Sequence, residues 1–416
     1  MASAWKIPLL LVLVLLSVVP SLLAVTTAGD VREALHQAAS YKPQGAADPT
    51  TDPQLFEYLR ILRAKTRDFA IGSIVDAARK AGTPGQLLDR ARARVRQAGL
   101  PMREDPAAFG DLFAPSAEVE FFHVDGLPPE WIGARVQIGV PCGFDLSLFL
   151  WRLNPVEGEQ AFTPELRFAR ESALTGMAEG VATQDYAVRQ NTDSQDIEVA
   201  SIDTGSWCSS YWRTATMVVA RSSSHPYRPD RLFQHQEPVY LGDDLSPSVS
   251  ASDSGFQFRF LTRYWLDVNR NYRLKELDVE VSHARASVRA PRAEDPALFL
   301  DQWVATPWRD SRSWTTGSYE HALRGWHETL SPDGADRLVT KVVNWGDCQP
   351  ETHTAWVHLH ALSPVHGLDV HEAAGHGAAK GSSDFYGVLR RDPDGFRVHQ
   401  IVDKLPANCP VSAARP

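Results

Sequence analysis

Phe256-Gln257-Phe258-Arg259-Phe260 alternates aromatic and polar residues with a period of two, and that period decides the fold. Residues two apart in an extended chain point to the same side, so the phenylalanines share one face and Gln257 and Arg259 the other. The pattern continues through Tyr264 and Trp265, turns at Asp267-Val268-Asn269-Arg270-Asn271, and returns through Tyr272, Leu274 and Leu277. It predicts an antiparallel hairpin with one buried face.

Toward the N-terminus, Val119–Phe122, Arg135–Ile138, Leu148–Trp151 and Met217–Val219 are further short β-prone runs, separated by Gly, Pro and Asp. Residues 115–290 therefore read as a β-rich domain, a propeller-like or sandwich meander with no repeating blade signature. Residues 29–104 read as helical. Asp52-Pro53 and Thr83-Pro84 each pair a capping side chain with a residue that needs no amide donor. Apolar residues at helical spacing follow both, and Gly82 and Gly99 close the runs. The arginines at 90, 92, 94 and 96 spread around the second helix and read as a solvated face.

Residues 291–416 read as a third domain. Asp295-Pro296 opens one helix, Ser318 caps another, and four strands follow near Leu338–Val343, Ala355–Leu362, Phe385–Leu389 and Phe396–Val402. Asp392-Pro393-Asp394-Gly395 joins the last two: proline presets φ and glycine takes the positive φ. The fold class is α+β, with an N-terminal helical segment, an antiparallel β-rich centre, and C-terminal helices followed by an antiparallel meander.

Residues 1–28 read as a secretory signal peptide. Lys6 precedes an apolar run from Ile7 to Leu23 that Ser17, Pro20 and Ser21 interrupt, and small residues follow at Ala24, Thr26 and Ala28. Pro20 and Ser21 favour cleavage over a retained anchor, so no stable membrane span is expected after processing. The expected location is periplasmic or extracellular. A net charge of −9 with dispersed basic residues excludes a nucleic-acid partner. Arginine outnumbers lysine 34 to 8, a bias that suits a GC-rich genome as well as any function. Four cysteines in an exported chain point to disulfides, and Cys142–Cys208 with Cys348–Cys409 keeps each bridge within one domain.

Six of the 14 histidines, at 353, 358, 360, 366, 371 and 376, fall in one short segment. His358 and His360 lie two apart in an expected strand and face the same way, the start of a zinc or copper site that His371 and His376 would complete. Glu372 would be its general base. His371 and His376 are five apart with Gly375 between them, which breaks the four-residue spacing of a zincin helix. An exposed loop from His366 to Ser383, rich in Gly, Ala and His, is the simpler reading of that stretch. Asp267, Asn269 and Asn271 are spaced like a calcium loop, with Leu274 and Asp278 at its later positions. Tyr272 in place of the bend glycine and the cation of Lys275 disfavour calcium there.

The residues 375–381 lack the order of a phosphate loop, and no G-x-S-x-G nucleophile elbow occurs. Core packing is the default for the 12 tryptophans, although exposed ones would suit stacking on a sugar or an apolar ligand. The reading that follows is an exported, disulfide-bonded, non-catalytic binding or interaction protein whose partner is a small molecule, a glycan or another protein. Its rivals are a metal-dependent hydrolase built on the His353–His376 segment and a structural component of the cell surface.

Overall fold

The structure is a computed structural model that describes residues 26–42, 52–100, 115–141, 143–171, 181–191, 196–205, 211–242, 245–267, 272–282, 285–293, 295–331, 338–349, 352–364 and 384–409. The chain divides into two compact units, residues 1–124 with 128–180, and residues 125–127 with 181–416.

The first unit opens with three helices, α1 (Ala28–Ser40), α2 (Pro53–Ala78) and α3 (Pro84–Gln97). Asp52 accepts from the amides of Gln54 and Leu55, and Thr83 from that of Gln86, so both Asp/Thr-Pro signals act as caps. Four antiparallel neighbours follow: β1 (Ala117–His123), β2 (Trp131–Val140), β3 (Gly143–Pro155) and β4 (Phe162–Glu171). Alternate residues Val119, Phe121, Ile132, Ala134, Val136, Phe149 and Trp151 form one core with Leu59, Leu62, Ile74, Leu88 and Val95 of the helices. Burial of each of the valine, leucine, isoleucine and phenylalanine side chains contributes roughly 1.5–3 kcal/mol. Two of the four α3 arginines have partners: Arg92 donates to the Phe121 carbonyl at 2.7 Å, and Arg94 pairs with Asp76.

The second unit carries an antiparallel run of β5 (Val181–Gln190), β6 (Ile197–Gly205), β7 (Trp212–Arg221) and β8 (Asp230–Tyr240). A second sheet comprises β9 (Ser248–Ser252), β10 (Gly255–Thr262), β11 (Arg273–Ser282) and β12 (Arg285–Val288), in the order β12-β11-β10-β9. Helices α4 (Pro296–Ala305), α5 (Trp308–Ser311) and α6 (Glu320–Leu330) lead to the meander β13 (Leu338–Asp347), β14 (Thr354–Pro364), β15 (Asp384–Asp392) and β16 (Gly395–Val402). Asp295 caps α4 as expected. Ser318 does not cap α6: it lies in a short 3-10 turn, and Tyr319 precedes the helix with no side-chain cap. Gly395 takes φ +127°, the left-handed conformation its turn requires.

The expected hairpin is β10–β11, with Phe256 opposite Val279, Phe258 opposite Leu277 and Phe260 opposite Lys275. Leu274 faces outward and is exposed, since strict alternation prevents it from sharing a face with Leu277. The inward set on β11 is Arg273, Lys275, Leu277 and Val279. Two cations therefore lie in an apolar layer, and each must have a carboxylate partner. One core joins this hairpin to Met217, Val219 and Phe233, to Phe299, Leu300 and Trp303, and to Val357, Leu359, Phe385 and Val398.

Candidate functional site

Strand alternation carries His358 and His360 to one side of β14, where both meet Asp384, the first residue of β15. His358 Nε2 and His360 Nδ1 each lie 2.9 Å from the same oxygen, Asp384 Oδ1. Tyr386 stacks on His358 at 4.7 Å between centroids. The His360 hydrogen bond, opposed by partial burial and assisted by His358, holds the Asp384 carboxyl below the ordinary carboxylate range. Burial and then the Asp384 charge push the Tyr386 hydroxyl upward. The structure thus unites the two strand histidines and adds a carboxylate that the sequence reading did not name.

Donor atoms around a tetrahedral zinc stand about 3.3 Å apart, given bonds of ~2.0 Å. At 2.9 Å the two imidazoles hydrogen-bond the carboxylate directly, and among the described residues no group of three metal-binding side chains has the geometry to hold an ion. His366, His371, Glu372 and His376 lie outside the described residues. His353 takes a positive φ of 47° in the turn before β14 and its carbonyl accepts from Arg391. Of the calcium-loop candidates, Asn269 and Asn271 also lie outside the described residues. Leu274 and Asp278 belong to strand β11, with Asp278 accepting from Gln257 at 2.9 Å.

A second cluster is a buried charge centre. Glu237 Oε2 accepts from Lys275 Nζ at 2.7 Å and from His235 Nε2 at 3.1 Å, while Oε1 accepts from Thr262 at 3.0 Å. Burial alone would raise the Glu237 carboxyl; the Lys275 charge and the His235 contact overcome it and hold the pKa at about 2. Burial lowers Lys275, with Glu237 opposing. Beside them Asp301 accepts two hydrogen bonds from Arg273 and two from the amides of Trp265 and Leu266. Every buried carboxylate oxygen here has a partner, which is the condition for such charges to be tolerated.

Ser311 and His327 approach to 3.2 Å and invite comparison with a nucleophile and its base. The chemistry excludes it. His327 Nε2 stands 2.8 Å from the Thr306 carbonyl and 3.0 Å from that of Trp303, so this nitrogen carries a hydrogen and cannot take the serine proton. Burial depresses the His327 pKa, and both side chains are sealed in the core.

The third cluster is aromatic. Trp212 and Tyr240 face each other across β7 and β8 with centroids 5.3 Å apart. Tyr272 stacks on Tyr240 at 4.6 Å and 15° between planes, and Tyr211 lies 6.2 Å from Tyr240. Tyr211 is 68% exposed, the most of any large hydrophobic residue described. By contrast Trp303, Trp314 and Trp326 are core residues, as the default for tryptophan expects.

Cys348 and Cys409 form a disulfide that closes a separation of 61 residues. Cys142 and Cys208 lie outside the described residues. Among the described residues no helix is long and apolar enough to cross a membrane. Neither protein-family models nor curated proteins give a match to this chain.

Proposed function

We propose that the chain is an exported binding protein that holds a ring-bearing ligand, such as a glycan, on the aromatic cluster of Tyr211, Trp212, Tyr240 and Tyr272. The observation that carries this reading is the parallel Tyr240–Tyr272 stack with Tyr211 standing exposed beside it. Stacked rings offer a flat apolar surface with polar hydroxyl edges, suited to a sugar face. The leader at residues 1–28 and the Cys348–Cys409 bridge support an oxidising destination. The test is a thermal-shift screen of oligosaccharides with tryptophan fluorescence as a second readout. A ligand that raises the melting temperature of the parent, but not of Tyr211→Ala or Trp212→Ala, supports the site. Equal shifts in all three proteins, or none, refute it.

A second reading, a metal-dependent hydrolase, keeps one observation in its favour: the imidazoles of His358 and His360 aim at a single point. Native mass spectrometry on protein never exposed to a metal column decides it. One tightly held zinc or copper per chain, lost in His358→Ala and His360→Ala, favours the hydrolase; a metal-free mass retires it.

A further inference from the structure

A cavity of about 580 Å³ opens between β8, Ala286 of β12 and the Pro307–Asp310 turn into α5. Its wall includes His235, Arg231, Gln234, Gln236, Arg309 and Asp310. The volume falls in the range of small-molecule sites. We infer that this cavity binds a small oxyanion, a carboxylate or phosphoryl group, through the His235 imidazole and the guanidinium groups of Arg231 and Arg309.

The argument starts from His235, which is 8% exposed and lines the cavity. Its Nε2 donates to Glu237, which Lys275 and Thr262 hold in place from β11 and β10. The ring is thereby fixed in orientation and tautomer, and among the described residues Nδ1 has no hydrogen-bond partner. A nine-tenths buried imidazole with one nitrogen pinned and the other unengaged is a binding group. The donors around it are in surplus. Each guanidinium has five N–H groups; Arg231 spends one on Gln234, and Arg309 spends one on Asp310 at 3.3 Å. Gln236 has already donated to Thr216.

The charges facing His235 are Glu237 on its own strand, Lys275 on β11, Arg231 on β8, and Arg309 with Asp310 on α5; its neighbours Met217 on β7 and Ala286 on β12 carry none. Glu237 and Lys275 cancel, as do Arg309 and Asp310, which leaves Arg231 as the excess charge. An oxyanion complements that excess. When seated at Nδ1 it draws a proton from solvent onto that nitrogen, which then donates to the ligand while Nε2–H continues to donate to Glu237.

The test is a long-range ¹⁵N–¹H correlation spectrum of the imidazoles in the full chain, titrated with sodium phosphate or sodium acetate at constant ionic strength, with chloride as the control. His235→Gln assigns the signals. The expected result is a saturable shift of His235 Nδ1 toward its protonated value with Nε2 nearly unmoved. Arg231→Gln and Arg309→Gln should each weaken the apparent affinity about tenfold or more, since hydrogen bonds to charged partners are the strong class. A response to phosphate alone identifies a phosphoryl ligand, and a response to acetate a carboxylate. An unmoved His235, an equal response to chloride, or unchanged affinity in both arginine variants, each with a parent-like melting curve, overturns the proposal.

Discussion

Replacing Lys275 with methionine removes the cation that makes the buried carboxylate of Glu237 tolerable. The parent Glu237 titrates near 2 against an ordinary value of 4.5. That depression corresponds to about 3 kcal/mol of stability, at roughly 1.4 kcal/mol per pKa unit. Because the folded-state pKa is lowered, this contribution is present above pH ~4.5 and is lost as pH falls through about 2. Breaking a buried pair from one side typically costs about 3–5 kcal/mol, so the two routes agree. Equilibrium urea denaturation at pH 7 should therefore show Lys275→Met destabilised by about 3 kcal/mol. Repeated between pH 5 and about 2, it should show a decline in the parent that is blunted in the variant, where Glu237 protonates on folding. The double variant Glu237→Leu/Lys275→Met should regain most of the loss, since an apolar pair of similar volume is often no worse than the ion pair. A loss below about 1 kcal/mol in the single variant, or an undiminished acid decline, refutes the assignment of Lys275 as the group that holds Glu237 charged.

Three further outcomes are expected. Cys348→Ala/Cys409→Ala should lower stability by about 4 kcal/mol in urea, the loop-entropy value for a separation of 61 residues, and dithiothreitol should lower the parent's stability by more than it lowers the variant's. Gly255→Ala should cost about 1–3 kcal/mol by thermal denaturation, because its Cβ would stand 2.0 Å from the Val279 carbonyl, a backbone atom fixed by the β10–β11 ladder. Asp384→Asn should change stability at pH 7 by less than about 1 kcal/mol, since the carboxylate is only partly buried. Its lowered pKa gives the parent a small increment that is lost as pH falls through the folded-state value and that the variant lacks, seen as converging urea midpoints on acidification.

The legible parts of this chain were local. Asp52-Pro53, Thr83-Pro84 and Asp295-Pro296 announce helix starts because cap and proline act within one turn. The Phe256–Phe260 alternation and the Asp392–Gly395 turn are likewise decided over a few residues. Ser318 misled because a serine before an apolar stripe looks like a cap even when a 3-10 turn intervenes. The sites were harder to see because their members are distant in sequence. Glu237 and Lys275 are separated by 38 residues, and His358 and Asp384 by 26. Lys275 reads naturally as a solvent-facing charge beside a turn. Only the parity of its position, an even number of residues from Leu277 and Val279, signals that it points inward. The aromatic cluster draws on the ends of β7 and β8 and on Tyr272, which stands just before β11 with two strands between, so no spacing rule marks it.

The Cys348–Cys409 bridge has a mechanical consequence. Cys348 follows β13 at one edge of the last sheet, whereas Cys409 follows β16 at the other. The two cysteines pack with Trp356 of β14, Tyr386 of β15 and Leu405, and Gln349 donates to the Asn408 carbonyl beside them. The final segment is thus a strap drawn across the sheet and riveted to its far side. A pull on the chain beyond Cys409 enters the sheet at Cys348 and loads β13, so β16 cannot be peeled away first. Tension there bypasses β14, β15 and β16, which lie inside the loop that the bridge closes, and this makes the oxidised C-terminal end the more durable tether.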